Sequence, residues 1–436
     1  WQGNPKYSLY NDTIQYFFTW NNSTTNKRFL IETDVNFSSY TPSNYILSES
    51  TAFYSDAYNE GEKTSNASSS FYMPGEGWGR TPVNGANNYT LTLSAPTPSV
   101  YTGVDAPSCR FRSVSVSNSN ASIPPGGIGN HHLQFFIGNG ELEIVDTIFS
   151  GYKAISIDTY FPSSTLTSGN TTLKWKIKGD LDVATDFQSL NYWSFHYPRI
   201  PNLGGSNKIN FRVKNNIAES KIRLDLTNLT YSNPFVFVLG STPRKVPLIL
   251  NGSVYSALIP NEVGGDEQMV VYQDISTLTS VSTLSPVNGN GFFNDYSVWN
   301  AEKALLMVYP SSLQQAAFEY AAYRQSADGG NYNVIIANVN ELYLQFGGGI
   351  NKHISGIRRF AHFMYDQATE KPVGLFLIGK GIREANVSGI TSTGSGSRKN
   401  AVNYANNLIP SFGQPSSDAF ITSRLPGTTR WMPLIP

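Results

Sequence analysis

A thiol followed by two guanidinium groups is the first place in this sequence where chemistry could be sited. Cys109 is the single cysteine of the 436 residues, with Arg110 and Arg112 beside it. Positive neighbours lower a thiol pKa, but a nucleophilic thiolate also needs a base within hydrogen-bonding reach. The nearest histidines, His131 and His132, lie well downstream, so Cys109 reads as structural. On a strand, that adjacent histidine pair sends its side chains to opposite faces. His353 and His362 are nine residues apart, too far along one helix to share an ion. His196 falls in the aromatic run Tyr192-Trp-Ser-Phe-His-Tyr197, which reads as a packed strand.

Carboxylates cluster twice, as Asp180, Asp182 and Asp186 and as Glu262, Asp266 and Glu267. Oxygen donors of this kind hold calcium when a loop spaces them for it. Neither set has such spacing, and both read as solvated turns. Gly347-Gly-Gly349 precedes a helix and could offer N–H groups to an anion, yet it lacks the third glycine of a dinucleotide fingerprint and reads as a connector. Gly379-Lys380-Gly381 sits where ligands of open α/β sheets collect, beyond a strand's carboxyl end. Trp175, Trp193, Tyr192 and Tyr197 could form a carbohydrate platform, although aromatics more often pack cores. The residues alone assign no catalytic, cofactor-binding or metal-ligating side chain.

The elements that must position such groups change character near Glu302. Ala304-Leu-Leu-Met-Val-Tyr309, Tyr332-Asn-Val-Ile-Ile-Ala-Asn-Val339 and Val373-Gly-Leu-Phe-Leu-Ile378 are apolar without alternation, as strands of a parallel sheet covered on both faces must be. Ser311 to Gln325 repeats apolar residues at helical spacing, with Ser311 placed as an N-cap. From about Asn351 to Gln367, Ile354, Ile357, Ala361 and Met364 form one stripe.

Upstream, short β segments alternate with Gly, Asn, Pro and Ser turns, the rhythm of sandwiches or barrels. Thr13 to Trp20 and Arg28 to Phe37 are candidate strands, and Gly138-Asn139-Gly140 marks a hairpin. Ser38 to Gly85 and Ser117 to Gly129 read as polar loops. The expected organisation is a β-rich domain over 1–125, a β-sandwich over 126–290 and an α/β segment over 291–436. Charged residues make up only 14% and the net charge is zero, so no field draws the chain to nucleic acid. No apolar run is long enough to span a bilayer as a helix. The start at Trp1 is compatible with a removed signal sequence.

Read in order, the α/β residues resemble the gingipain-type cysteine peptidases, especially the sortases of the type IX secretion system. The resemblance rests on Ala304 to Tyr309, Tyr332 to Ile336, Glu341-Leu-Tyr-Leu-Gln-Phe346, Ile357-Arg358-Arg359-Phe360, Leu375-Phe-Leu-Ile-Gly379, Ile409-Pro410 and Ser417-Asp418. It covers about the last third of the chain. Gly379-Lys380 stands where the family shows Gly-Asp, as in a divergent paralogue. The resemblance implies β-sandwich domains followed by the first part of a caspase- and gingipain-like parallel sheet. It places the catalytic histidine and cysteine on later strands, beyond Pro436, so no catalytic residue is carried over and no cofactor is assigned. It further implies an exported protein at the outer-membrane surface of Bacteroidota that processes C-terminal signals of secreted cargo. The implied partners are that cargo and a PorV-like outer-membrane β-barrel of the secretion and attachment complex. A non-catalytic surface scaffold is the alternative.

Overall fold

Alternation in the strand sequences decides which side chains enter the core. In the computed structural model, which describes residues 4–11, 13–19, 21–23, 28–64, 67–68, 75–229, 232–382, 400–412 and 417–423, Thr171, Leu173, Trp175 and Ile177 are buried while Lys174 and Lys176 between them point outward. Ile222, Leu224 and Leu226 likewise face in, between Lys221, Arg223 and Asp225. Each such buried apolar side chain stabilises the fold by roughly 1.5–3 kcal/mol.

The main β strands are β1 (Ile46–Phe53), β2 (Tyr89–Thr97), β3 (Cys109–Ser117), β4 (His131–Ile137), β5 (Leu142–Phe149), β6 (Ala154–Phe161), β7 (Gly169–Ile177) and β8 (Phe187–Arg199). They continue with β9 (Lys208–Lys214), β10 (Lys221–Leu229), β11 (Pro234–Leu239), β12 (Arg244–Pro247), β13 (Val254–Pro260) and β14 (Glu267–Asp274). A ten-stranded sheet runs Leu30–Ile31, β12, β11, β14, β9, β1, β8, β3, β6, with Val83–Asn84 alongside β8. Tyr197 of β8 pairs with Ser48 of β1, and Leu47 pairs with Arg212 of β9. Tyr197, Ile46 and Phe211 therefore point to one face, because side chains alternate along each strand.

Two four-stranded sheets cover that face side by side. The first, in the order β5-β4-β7-β2, encloses a core that includes Phe111, Phe135, Trp175, Trp193 and Phe195. The second, Asn202–Ser206 with β10, β13 and Ile249–Asn251, encloses Phe211, Leu224, Val236, Val246 and Tyr272. Two sandwiches thus share one sheet.

Several expectations change. The sheets run across residue 125, since β3 pairs with β6 and β8, and β2 pairs with β7. The division at 125 is therefore not a boundary between folding units. Ile46–Phe53 lies inside the expected loop yet forms a central strand. Its inward Ser48 and Ser50 hide the alternation that would have revealed it. Of the expected strands Thr13 to Trp20 and Arg28 to Phe37, the described residues keep only Leu30–Ile31 and a single bridge from Ile14 to Ile350. The hairpin between β4 and β5 stands, but its positive φ angles fall at Gly138 and Glu141.

Between β14 and Ala304 there are only three-residue turns. The α/β segment then follows as β15 (Ala304–Tyr309), α1 (Gln314–Gln325), β16 (Asn333–Asn338), α2 (Val339–Gln345), α3 (Ser355–Gln367) and β17 (Gly374–Leu377), with short helices α4 (Ala401–Asn406) and α5 (Ala419–Thr422) after it. The three strands are parallel, as expected, in the order β16-β15-β17. Leu306 and Val308 enter the core against α2 and α3, while Met307 packs with Ala321 on the α1 side. Leu9 and Tyr10 from the amino-terminal segment complete the first of these cores, so a strap from the other end of the chain belongs to this unit.

Candidate active-site end of the parallel sheet

In an open parallel sheet, ligands bind beyond the carboxyl ends of the strands, where the chain switches direction across the sheet. Here β15 leads through α1 to β16 on one side, and the chain then returns past β15 to β17 on the other. The switch point therefore lies between the carboxyl ends of β15 and β17, at Tyr309-Pro310 and Ile378-Gly379. Ile378 N–H donates to the Val308 carbonyl at 2.8 Å, which fixes the two ends in register.

Each end is braced. Asn338 closes β16, accepts from Asn340 N–H at 2.9 Å to cap α2, and donates through Nδ2 to Ser311 Oγ at 2.9 Å. Ser311 consequently does not cap a helix itself; it opens a three-residue 3₁₀ turn after Pro310 and ties the ends of β15 and β16 together. Gly379 has φ +130°, and a side chain there would press on Leu408 and Ile409. The Lys380 carbonyl accepts from Leu408 and Ile409 N–H at 2.9 and 3.2 Å, while its side chain is exposed. Gly379-Lys380-Gly381 thus lies at the switch point with one exposed cation.

Gly347–Gly349 serves a different purpose from anion binding. The long helix begins at Ser355, and Gly349, at φ +77°, accepts from Gln15 N–H at 2.8 Å. A Cβ on Gly349 would meet the Gln15 carbonyl oxygen inside contact distance. These glycines let the amino-terminal strap lie against the turn. His353 packs against Tyr10 with the rings tilted at 48° and 4.9 Å between centroids, and its Nδ1 accepts from Ser355 N–H at 3.1 Å. Burial, with the Arg359 charge adding to it, lowers its pKa to about 4. His362 Nε2 faces the Ser423 carbonyl at 3.2 Å.

The remaining candidates sit in the sandwiches. Cys109 is fully buried, and burial pushes its thiol up to about 12, so it is no nucleophile. His131 and His132 do face apart. His131 Nδ1 is 2.6 Å from Asp186 Oδ1 and its Nε2 is 2.9 Å from the Ser119 carbonyl. His132 lies between Asp180 and Asp146, each 2.7 Å from a different ring nitrogen. Asp180 and Asp186 are therefore histidine partners and not free turns. The His132 hydrogen bond holds the Asp146 carboxyl below its ordinary range. Asp182 occupies a turn at φ +52°. Glu262 accepts from Ser241 N–H at 3.0 Å, and Glu267 is 3.9 Å from Arg212. Among the described residues no cluster of His, Cys, Asp and Glu is arranged to hold a metal ion. Trp175, Trp193 and Tyr197 are core residues, and Tyr192 stacks on Phe53, which removes three of the four platform aromatics.

Sequence reasoning missed Glu341, buried on α2, where it accepts from Asn288 Nδ2 at 2.8 Å and Asn294 N–H at 2.6 Å. It moors the segment before β15. The signal was present as an acid inside an apolar helical stripe.

Residues 299–426 match the model of peptidase family C25. No curated protein matches the chain. Among solved structures, dimeric latent PorU of Porphyromonas gingivalis superposes with a TM-score of 0.51 at 13% identity, covering 78% of this chain and 30% of that one. This chain thus spans less than a third of that relative's length, and at such identity the likeness concerns the fold alone. A CBM36-1 domain of a xylanase from the hindgut metagenome of Trinervitermes trinervoides matches 34% of this chain and 95% of its own at 16% identity, with a TM-score of only 0.20. Ruminococcus gnavus beta-glucuronidase, at 11% identity over 68% of this chain and 58% of its own, reaches only 0.16. Neither carries an argument. Residues 299–426, which stand behind two sandwiches that share a sheet, are thus similar to peptidase family C25.

Proposed function

We propose that this chain is the amino-terminal portion of a sortase-like cysteine peptidase of the type IX secretion system, which processes the C-terminal signals of secreted cargo at the cell surface. The observation that carries this reading is the parallel order β16-β15-β17 within the stretch that matches family C25. In such a mechanism a histidine activates a cysteine, and N–H donors stabilise the oxyanion of the tetrahedral intermediate. The described residues supply the sheet that would support this chemistry. The sole cysteine, buried with a raised pKa, cannot perform it.

Intact-mass measurement and peptide mapping of the native protein test the reading. A polypeptide that continues past Pro436 with a histidine and a cysteine, and that loses cargo processing when that cysteine becomes alanine, is the expected result. A mature polypeptide ending near Pro436 overturns it.

The second reading is a non-catalytic scaffold of an outer-membrane secretion or attachment complex, in which the α/β sheet serves docking alone. Co-purification with an outer-membrane β-barrel, with cargo processing untouched by that cysteine replacement, selects this reading over the first. Both readings place the protein outside the cell.

A further inference from the structure

One ring in the first sandwich meets two carboxylates at once. His132 lies on the face of β4 turned away from Leu133 and Phe135, which fill the core, and its side chain is only 4% exposed. Nε2 is 2.7 Å from Asp146 Oδ1 on β5, and Nδ1 is 2.7 Å from Asp180 Oδ1 in the turn after β7. Both carboxyls are ionised. The hydrogen bond from His132, opposed by burial, holds Asp146 below its ordinary range, and at Asp180 the hydrogen bonds from His132 and Lys178 outweigh a burial that pushes the other way.

A neutral imidazole donates through one nitrogen and presents a lone pair at the other, whereas the imidazolium donates through both. A lone pair 2.7 Å from a carboxylate oxygen repels it, so this geometry needs both ring protons. The surrounding groups do not replace them. Gln134 Nε2 donates to Asp146 Oδ2 at 2.8 Å and to Glu143 Oε2 at 3.1 Å, and Lys178 Nζ is 2.9 Å from Asp180 Oδ2. Lys176, on the same face as Gln134, turns to the Phe136 ring, and Asp182 is exposed. Asp186, the partner of His131, accepts the His132 backbone N–H at 3.2 Å. Without the ring charge, Asp146, Asp180 and Glu143 would share the single ammonium of Lys178.

The turn that Asp180 belongs to carries the chain from the covering sheet to the ten-stranded sheet. Its ends are pinned by Gly179 N–H on Asn88 Oδ1 at 3.1 Å and by Asp186 N–H on Asn84 Oδ1 at 3.0 Å, bonds that no ring proton affects. Between those pins, His132 and Lys178 hold it through Asp180. When the ring keeps one proton, the bond to Asp146 is the one retained, because Asp146 stays in register on β5 with Gln134 as a second donor. Asp180, on a turn and 38% exposed, can swing to water.

We propose that His132 is a proton-operated clasp: its imidazolium fastens the crossover 179–185 to β4 and β5, and loss of one ring proton frees Asp180 and lets the crossover open while the core of the sandwich stays shut. The clasp is fastened while the ring is charged and opens as pH rises through the ring's titration. It slackens again in strong acid, once Asp146 and Asp180 take up protons. The inference is independent of whether the protein is a peptidase.

Two measurements on the full chain between about pH 5.5 and 9 test this: long-range proton–nitrogen spectra of the histidine-labelled protein, and hydrogen exchange of 181–185 expressed as protection over the unfolded rate. Protection of 181–185 should fall roughly tenfold with the same midpoint at which His132 loses its second ring proton, while β7 stays protected. His132→Gln should show the low protection at every pH. Should that variant not fold, Asp180→Asn serves instead: its amide accepts from a charged ring and donates to a neutral one, so its protection should not change with pH. A His132 ring with one protonated nitrogen throughout, protection that stays constant while the ring titrates, or the wild-type pH response in Asp180→Asn overturns the proposal.

Discussion

At the scale of single residues, burial decides what each titratable group can do. His353 and His196 are both held near a pKa of about 4, by burial first and then by arginine charges: Arg359 for the former, and Arg212, Arg112 and Arg110 for the latter. Their unfolded values lie near 6.5, so between about pH 6.5 and 4 the unfolded chain binds more protons than the folded one. Stability therefore rises with pH across that window and is lost as pH falls through it. Across the whole window each histidine should account for up to about 3 kcal/mol by this linkage, less for the partly exposed His196. Urea midpoints measured from pH 7.5 to 4.5 check this, and His353→Asn, which keeps an acceptor for Ser355 N–H, should flatten the slope. The His131 pair behaves differently from the His132 pair because Asp186 is buried while Asp146 and Asp180 reach solvent. His131→Leu leaves an uncompensated buried carboxylate and should cost about 3–5 kcal/mol. His132→Leu should cost about 1–2 kcal/mol, since its two carboxylates can rehydrate. Denaturant titration of the two variants side by side reads the difference. Cys109 should resist alkylation at pH 8 until the chain unfolds, and rapid labelling of the native protein would contradict its burial.

At the scale of elements, the sequence was most legible where one periodicity acted alone. The three apolar strands and α3 follow from unbroken runs and from the Ile354, Ile357, Ala361, Met364 stripe, all of which are buried. The candidate site was legible to the same extent, because the carboxyl ends of β15 and β17 follow from the strand order. Elements placed by distant partners were not legible. β1 carries serines on its core face, and its membership rests on pairing with β8 and β9, far along the chain. The strap from Asn4 to Phe17 has little regular structure of its own. It is held by Asn4 Nδ2 on the Tyr54 carbonyl at 2.7 Å, by Trp78 Nε1 on the Ser8 carbonyl at 3.0 Å and by the turn at Gly349. Gly349→Ala tests that hold. A methyl group at φ +77° is strained and collides with the Gln15 carbonyl, so the variant should lose about 1–3 kcal/mol. Hydrogen exchange at Gln15 should quicken while exchange in β7 stays unchanged. Equal protection at Gln15 in both proteins would show that the strap is held elsewhere.

At the scale of the whole molecule, the shared ten-stranded sheet sets how the chain unfolds. A boundary between independent domains is a place where few contacts cross, and no such place exists between the two sandwiches. β1 belongs to the large sheet between β8, whose inner side chains fill the first core, and β9, whose Phe211 and Val213 fill the second. Ile46 of β1 is buried in the second core, although its strand runs on to Ala52 against the first. Opening either sandwich would therefore expose β1 and an edge of the other, so residues 46–274 should unfold in one transition. Phe195→Ala in the first core and Val236→Ala in the second each leave a cavity, at about 3–5 and 1–3 kcal/mol respectively. Both should lower the midpoint of the same calorimetric peak. The α/β unit is joined to the sandwiches by the strap and by the hairpin of Ala57–Glu60 with Glu76–Gly79, whose Trp78 is buried in the α/β core. Leu306→Ala, at the centre of β15, should therefore destabilise that unit first and split a shoulder from the main peak. If the two sandwich variants instead shift separate peaks, the large sheet is two sheets in energetic terms, and the pairing of β1 with β9 contributes little to holding them together.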